Sequence, residues 1–156
     1  AEVEVGSVIL TPGSEIFNPQ VLGTYGYGAY PNVVTSLEYE RILSASGPTG
    51  GELVRPSDGK KPRKVAWIQC VGSRQVLEGG NSYCSAVCCA VSMKQAMYVK
   101  AQLPDAEVTV YYIDRRTPGR NESSSLMSAI TRTWPIAIFS PIARPVMRTW
   151  PGLVSA

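Results

Sequence analysis

Apolar positions alternate and then run together at the start of the chain, where Val3, Val5 and Val8 lead into Ile9-Leu10. The pattern predicts a strand entering a core, stopped by Thr11-Pro12-Gly13. Residues 14–32 read as loop, with Gly23, Gly26 and Gly28 set among Tyr25, Tyr27 and Tyr30. Thr35 or Ser36 is placed to cap a short helix over 37–43, which a Gly/Ser/Pro turn at 44–51 ends. Residues 52–63 read as a polar connector built on the turn Arg55-Pro56-Ser57-Asp58-Gly59.

The middle of the chain has clearer periodicity. Lys64-Val65-Ala66-Trp67-Ile68-Gln69 predicts a strand, and residues 70–83 a glycine-containing loop. From about Ser85 to Leu103, Ala86, Ala90, Met93 and Met97 recur at helical steps, until Pro104-Asp105 ends the run. The β-branched and aromatic stretch 107–113 predicts a second strand, closing at Asp114. Strand, loop, helix and strand in this order form a βαβ unit, so the expected fold class is α/β with a parallel sheet. Ligands of such sheets sit where strand ends meet helix starts. The nucleotide-binding alternatives fail on spacing. Gly26-Tyr27-Gly28 has Pro31 where a third glycine belongs, and Asp58-Gly59-Lys60-Lys61 lacks both the upstream glycine and the following Ser/Thr of a P-loop. The place after the first strand of the unit, where GxGxxG would stand, holds a cysteine-rich loop instead.

Composition narrows the chemistry. A chain of 156 residues suits one core. It has no histidine, which excludes Ser-His-Asp and Cys-His catalysis, HExxH zinc sites and His-held haem. The net charge of +3 is unevenly spread: residues 1–114 carry nine basic and eleven acidic groups, and residues 115–156 carry six arginines and Glu122 alone. The arginines are scattered and no lysine joins them, so no nucleic-acid partner is expected. No apolar run is long enough to span a bilayer, and no secretory signal opens the chain, so the expected location is cytoplasmic without membrane insertion. Ala1 in place of Met fits processing or truncation.

All four cysteines fall at the βα junction: Cys70 after the strand, then Cys84, Cys88 and Cys89 where the helix opens. From the spacing, four readings stand. The thiols are buried as small hydrophobes, or pair as disulfides, although adjacent Cys88 and Cys89 are awkward partners for each other. They hold structural zinc, for which the usual paired knuckles are absent, or they ligate an iron–sulfur cluster, for which four thiolates are the right count and type. A helix start adds amide donors and positive dipole to an anionic cluster.

Several stretches resemble the A subunit of heterodisulfide reductase: Tyr30 to Glu38, Ser44 to Gly51, Leu53 to Lys60, Ile68-Gln69-Cys70-Val71-Gly72-Ser73-Arg74, Tyr83-Cys84-Ser85-Ala86-Val87-Cys88-Cys89, and Tyr112 to Gly119. The A subunit of the quinone-interacting membrane-bound oxidoreductase of sulfate reducers is similar. The resemblance implies a thioredoxin-reductase-like flavoprotein with FAD and iron–sulfur clusters, of which this chain carries a partial Rossmann-like βαβ unit. It implies that Cys70, Cys84, Cys88 and Cys89 ligate one 4Fe–4S cluster, with Gly72, Ser73 and Arg74 beside it to tune its potential. It implies an electron-transfer part of an oxidoreductase complex, with other heterodisulfide-reductase-like or quinone-oxidoreductase subunits as partners. The alternative is a structural zinc or assembly module without redox activity.

Ile9-Leu10-Thr11-Pro12-Gly13 resembles the turn that closes the FAD domain in these flavoproteins, which implies flavin contacts at Thr11 and Gly13, although Pro12 departs from the family's small residue. The family's upstream GxGxxG is absent from these residues, so FAD is expected only together with an upstream flavin domain. The resulting division is 1–13 as the end of a flavin-domain strand, 14–63 as a connector with a short helix, and 64–120 as the βαβ iron–sulfur unit. Residues 121–156 form a Pro/Arg/Trp tail, read as frame-shifted, foreign or disordered, or as a divergent tail that wraps a partner.

Overall fold

The computed structural model describes residues 2–13, 15–76 and 78–117, together with the backbone of two short strands at 136–138 and 153–155. After a 3-10 turn at Pro19–Leu22, the elements are β1 (Val33–Val34), α1 (Ser36–Leu43), β2 (Lys64–Ile68), α2 (Cys88–Gln102), β3 (Glu107–Tyr112), β4 (Ile136–Ile138) and β5 (Leu153–Ser155). The strands form one sheet in the order β1-β5-β2-β3-β4, and every neighbouring pair is parallel. The α/β expectation holds at this level, with two α-helices and a small parallel sheet among the described residues.

The βαβ unit sits at the sheet's centre. β2 and β3 pair in register from Lys64↔Glu107 to Ile68↔Tyr111, and α2 connects them. β2 has a neighbour on each side, and Val65, Ala66, Trp67 and Ile68 are all buried. A strand covered on both faces reads as a continuous apolar run rather than an alternation. The core gathers Tyr39, Leu53, Val65, Trp67, Val99 and Val108. Helix α1 is set by a complete capping box: Thr35 Oγ1 accepts from the Glu38 amide at 3.2 Å, and Glu38 Oε2 accepts from the Thr35 amide at 2.6 Å.

Three expectations change. The segment Val3–Leu10 joins no strand among the described residues, and Val8, Ile9 and Leu10 are exposed. Alternation gives a strand one apolar face but not the neighbour whose amides must pair with it. Helix α2 opens at Cys88 rather than near Ser85, because Ala86 takes a left-handed φ of 61° that interrupts a helix. Leu53, in the stretch read as a polar connector, is a core residue. The Gln102 side chain holds it there, accepting from the Leu53 amide at 3.2 Å and donating to the Gly51 carbonyl at 3.1 Å. Apart from the two short strands, the tail lies outside the described residues. Among the described residues, no helix is long and apolar enough to cross a membrane.

Candidate metal centre

The site is built where β2 ends and α2 begins. Cys70 stands two residues beyond β2 with φ 61°, left-handed backbone that is uncommon outside glycine. A turn comes next, in which the Ser73 amide donates to the Cys70 carbonyl at 3.1 Å. Gly72 at its centre has φ 72°, and a Cβ there would run into the Phe17 ring. The loop then folds back on itself. The Arg74 amide donates to the Tyr83 carbonyl at 3.1 Å, the Gln75 amide to the Asn81 carbonyl at 2.8 Å, and Asn81 Nδ2 to the Gly72 carbonyl at 3.2 Å. These bonds fold back the thirteen-residue gap between Cys70 and Cys84, so that the charge of Cys84 reaches the Cys70 thiol.

Cys88 and Cys89 are the first two residues of α2. No side chain caps that helix start, since Val87 occupies the capping position, so no side-chain oxygen competes with an anionic group for its first amides. Cys88 is the acidic member of the pair: hydrogen bonds from the Cys89 thiol, the Ser85 hydroxyl and the Cys70 and Cys89 amides lower its pKa to about 6 against the opposing effect of burial. Cys89 is shifted the other way, first by its bond to Cys88 and then by burial. The hydrogen bond between the two sulfurs thus works in opposite directions on them, lowering Cys88 and raising Cys89. Burial, followed by the neighbouring Cys88, raises the Cys70 thiol, and Arg74 pulls it back.

The four cysteines are free thiols, so the disulfide reading fails. Among the described residues, no three His, Cys, Asp or Glu side chains stand at the mutual spacing that a bound metal ion requires. In donor type, four thiols without histidine suit a thiolate-held cluster or zinc.

Of the other predicted residues, Gly72, Ser73 and Arg74 belong to this loop. Thr11 and Gly13 lie on the exposed N-terminal segment, and no hydrogen bond joins them to another described residue. Sequence reasoning missed four residues at the site. Phe17 packs under Gly72, and Tyr25 stands near enough to Cys70 for the thiol's charge, after burial, to raise its hydroxyl pKa. Asp114 forms an ion pair with Arg74, and the Arg116 amide donates to Cys89 Sγ at 3.5 Å. The signal for the last two was present: adjacent parallel strands end side by side, so the residues just beyond β3 face those just beyond β2.

No protein-family model matches the chain. Individual proteins do match it. The chain is 50% identical over 119 residues to the A subunit of the H2:CoB–CoM heterodisulfide,ferredoxin reductase of Methanothermobacter thermautotrophicus. It is also 50% identical over 119 residues to the second iron-sulfur A subunit of the CoB–CoM heterodisulfide reductase of Methanopyrus kandleri. Identity is 46% over 118 residues to the A subunit of the ferredoxin/F420H2-dependent CoB–CoM heterodisulfide reductase of Methanosarcina acetivorans. Each match covers 76% of this chain but only 18%, 18% and 15% of the respective relative. Over that stretch the chain is similar to heterodisulfide reductase A subunits, of which it spans less than a fifth of the length.

Proposed function

We propose that this chain is an electron-relay part of a heterodisulfide reductase A-like flavin/iron–sulfur oxidoreductase, in which Cys70, Cys84, Cys88 and Cys89 hold one 4Fe–4S cluster. The observation that supports the reading is the placement of Cys70 just beyond β2 and of Cys88 and Cys89 at the start of α2, with the charges of Cys88 and Cys84 both acting on the Cys70 thiol. When bound, such a cluster accepts and returns single electrons without any bond being made at a side chain.

The protein's own part is to gather and charge the ligands. The closed loop 70–84 brings two thiols together, and the start of α2 supplies the other two with Cys88 already a thiolate near neutral pH. Ligand thiols must lose their protons to bind metal, so a lowered pKa favours loading. Arg74 and the uncapped amides of α2 place positive charge beside the anionic group, which favours its more reduced, more negative state. Phe17 packs under Gly72 of this loop, and Tyr25 stands beside the Cys70 thiol. FAD belongs to the flavin part of the larger protein, where Thr11 and Gly13 approach it. The partners are other subunits of a heterodisulfide-reductase-like or quinone-oxidoreductase-like complex.

Anaerobic purification with iron and sulfide tests the proposal. About four iron and about four acid-labile sulfides per chain, with a broad visible band bleached by dithionite, are expected. Stoichiometric zinc without that band would establish the structural alternative. Serine at Cys84 or at Cys88 abolishes the cluster if the ligands are as assigned.

A further inference from the structure

The polar contacts around the thiols converge on a residue that is not itself a candidate ligand. Asp114, just beyond β3, forms an ion pair through Oδ1 with the Arg74 guanidinium. Through Oδ2 it accepts from Arg116 Nε and Nη2, both at 3.3 Å. Its carbonyl lies 4.0 Å from Cys89 Sγ, and the amide of Arg116 donates to the same sulfur at 3.5 Å. Arg74 in turn acts on the Cys70 thiol through its charge and a side-chain hydrogen bond, which offset part of the effect of burial. It does so from a left-handed backbone, φ 54°, and such a conformation persists in a non-glycine residue only where its surroundings over-determine it. The Arg74 side chain is 19% exposed. A long cationic side chain tends to keep its charged head in water, and the Asp114 carboxylate gives this one a partner beside the thiol instead.

We propose that Asp114 is the positioning residue of the sulfur site: one carboxylate oxygen holds Arg74 at Cys70, the other holds Arg116 at Cys89, and the two loops are thereby locked in one arrangement. The locking concerns the thiols themselves. Its consequence for a potential rests on the proposed cluster.

The test uses the full chain with two independent readouts. In the iron-free protein, amide hydrogen exchange is followed in segments 70–75 and 112–117, with α1 as the internal control. Asp114→Asn should speed exchange in both segments on the order of tenfold and leave α1 unchanged, while Asp114→Glu should largely retain protection. Wild-type exchange in either segment of Asp114→Asn overturns the proposal.

In the cluster-loaded protein, the midpoint potential is measured. Removing the carboxylate charge by itself would raise the potential. Releasing Arg74 from Cys70 would lower it. The proposal therefore expects Asp114→Asn to shift the potential downward, in the same direction as Arg74→Gln, and an upward shift overturns it. If the wild-type chain takes up no iron, the cluster reading fails by itself, and the exchange measurement still decides whether Asp114 positions the thiols.

Discussion

Trp67 donates its indole N–H to Gln95 Oε1 at 2.8 Å, with both side chains sealed in the core at 2% and 0% exposure. The amide of Gln95 is fully used, because Nε2 donates to the Ser36 carbonyl at 3.2 Å and to Glu40 Oε1 at 3.1 Å. One side chain of α2 thus ties the central strand to α1, the helix that packs beside it. Replacing Gln95 with Met keeps the volume but orphans the indole N–H and removes the side-chain bonds to the Ser36 carbonyl and Glu40. The expected loss is about 1–3 kcal/mol, read as a lower urea midpoint with an unchanged slope. An unaltered midpoint would show that water or another group takes over both bonds.

The capping box gives a smaller and more local expectation. Thr35→Ala removes the acceptor for the Glu38 amide, which sits at 3.2 Å, and should cost about 1 kcal/mol. Thr35→Ser keeps the oxygen and should recover most of it. Comparing thermal midpoints of the two variants checks this, and equal losses would assign the effect to the methyl group of Thr35 instead.

Tyr39 offers the opposite case. Its ring stands edge-on to Trp67, with centroids 5.7 Å apart and planes 74° apart, and it is fully buried. Its hydroxyl finds no hydrogen-bond partner among the described residues, and burial raises its pKa. A buried polar atom without a partner costs stability that its removal returns. Tyr39→Phe should therefore be neutral or up to about 1 kcal/mol stabilising, although most tyrosine-to-phenylalanine changes in a core are losses. A lower thermal midpoint for this variant would reveal a partner for the hydroxyl.

Much of the fold was legible because it is local. The period of 64–69 and 107–113, the helical steps between them and Thr35 at a helix start each follow from nearby residues, and the structure places elements at all of them. Leu53 was not legible, since its burial comes from Gln102 on a helix 49 residues away. The alternation at Val3–Leu10 misled for a related reason: a strand exists only with a neighbour, and a sequence pattern does not name one. At the site, the cysteines stood out by type and spacing. Asp114 and Arg116 carry no such mark of type or spacing, and only the parallel register of β2 and β3, which sets distant loop ends side by side, points to them. Cys70 and Ala86 carry no glycine-like signal either, yet both adopt left-handed backbone.

Gly72 tests how tightly that loop is specified. Two separate obstacles oppose a side chain there: the positive φ of 72° and the Phe17 ring in the path of any Cβ. Gly72→Ala should destabilise the chain by about 1–3 kcal/mol. Adding Phe17→Ala removes the collision but not the backbone cost, so the double variant should regain only part of the loss after correction for Phe17→Ala alone. Full recovery would mean that packing against Phe17, rather than φ, requires the glycine.

The thiol pair sets a pH dependence whose sign follows from the hydrogen bond between its two members. Cys88 moves from an ordinary value of 9.0 down to about 6 on folding, chiefly because the Cys89 thiol donates to it. A lowered folded-state pKa contributes stability that is complete above the unfolded value and lost as pH falls through the folded one. This contribution therefore fades between about pH 9 and about pH 6 on acidification, while the raised Cys89 pKa works in the opposite sense on the alkaline side. In the iron-free chain, iodoacetamide should label Cys88 ahead of Cys89 at pH 7, since only the thiolate attacks. The rate at Cys88 should halve near pH 6 rather than near pH 9. Cys89→Ala removes the leading donor, and the Cys88 titration should move upward by at least one unit, as about 1.4 kcal/mol of lost thiolate stabilisation requires. A Cys88 profile that stays in place in Cys89→Ala would assign the thiolate's stabilisation to Ser85 and the backbone amides instead.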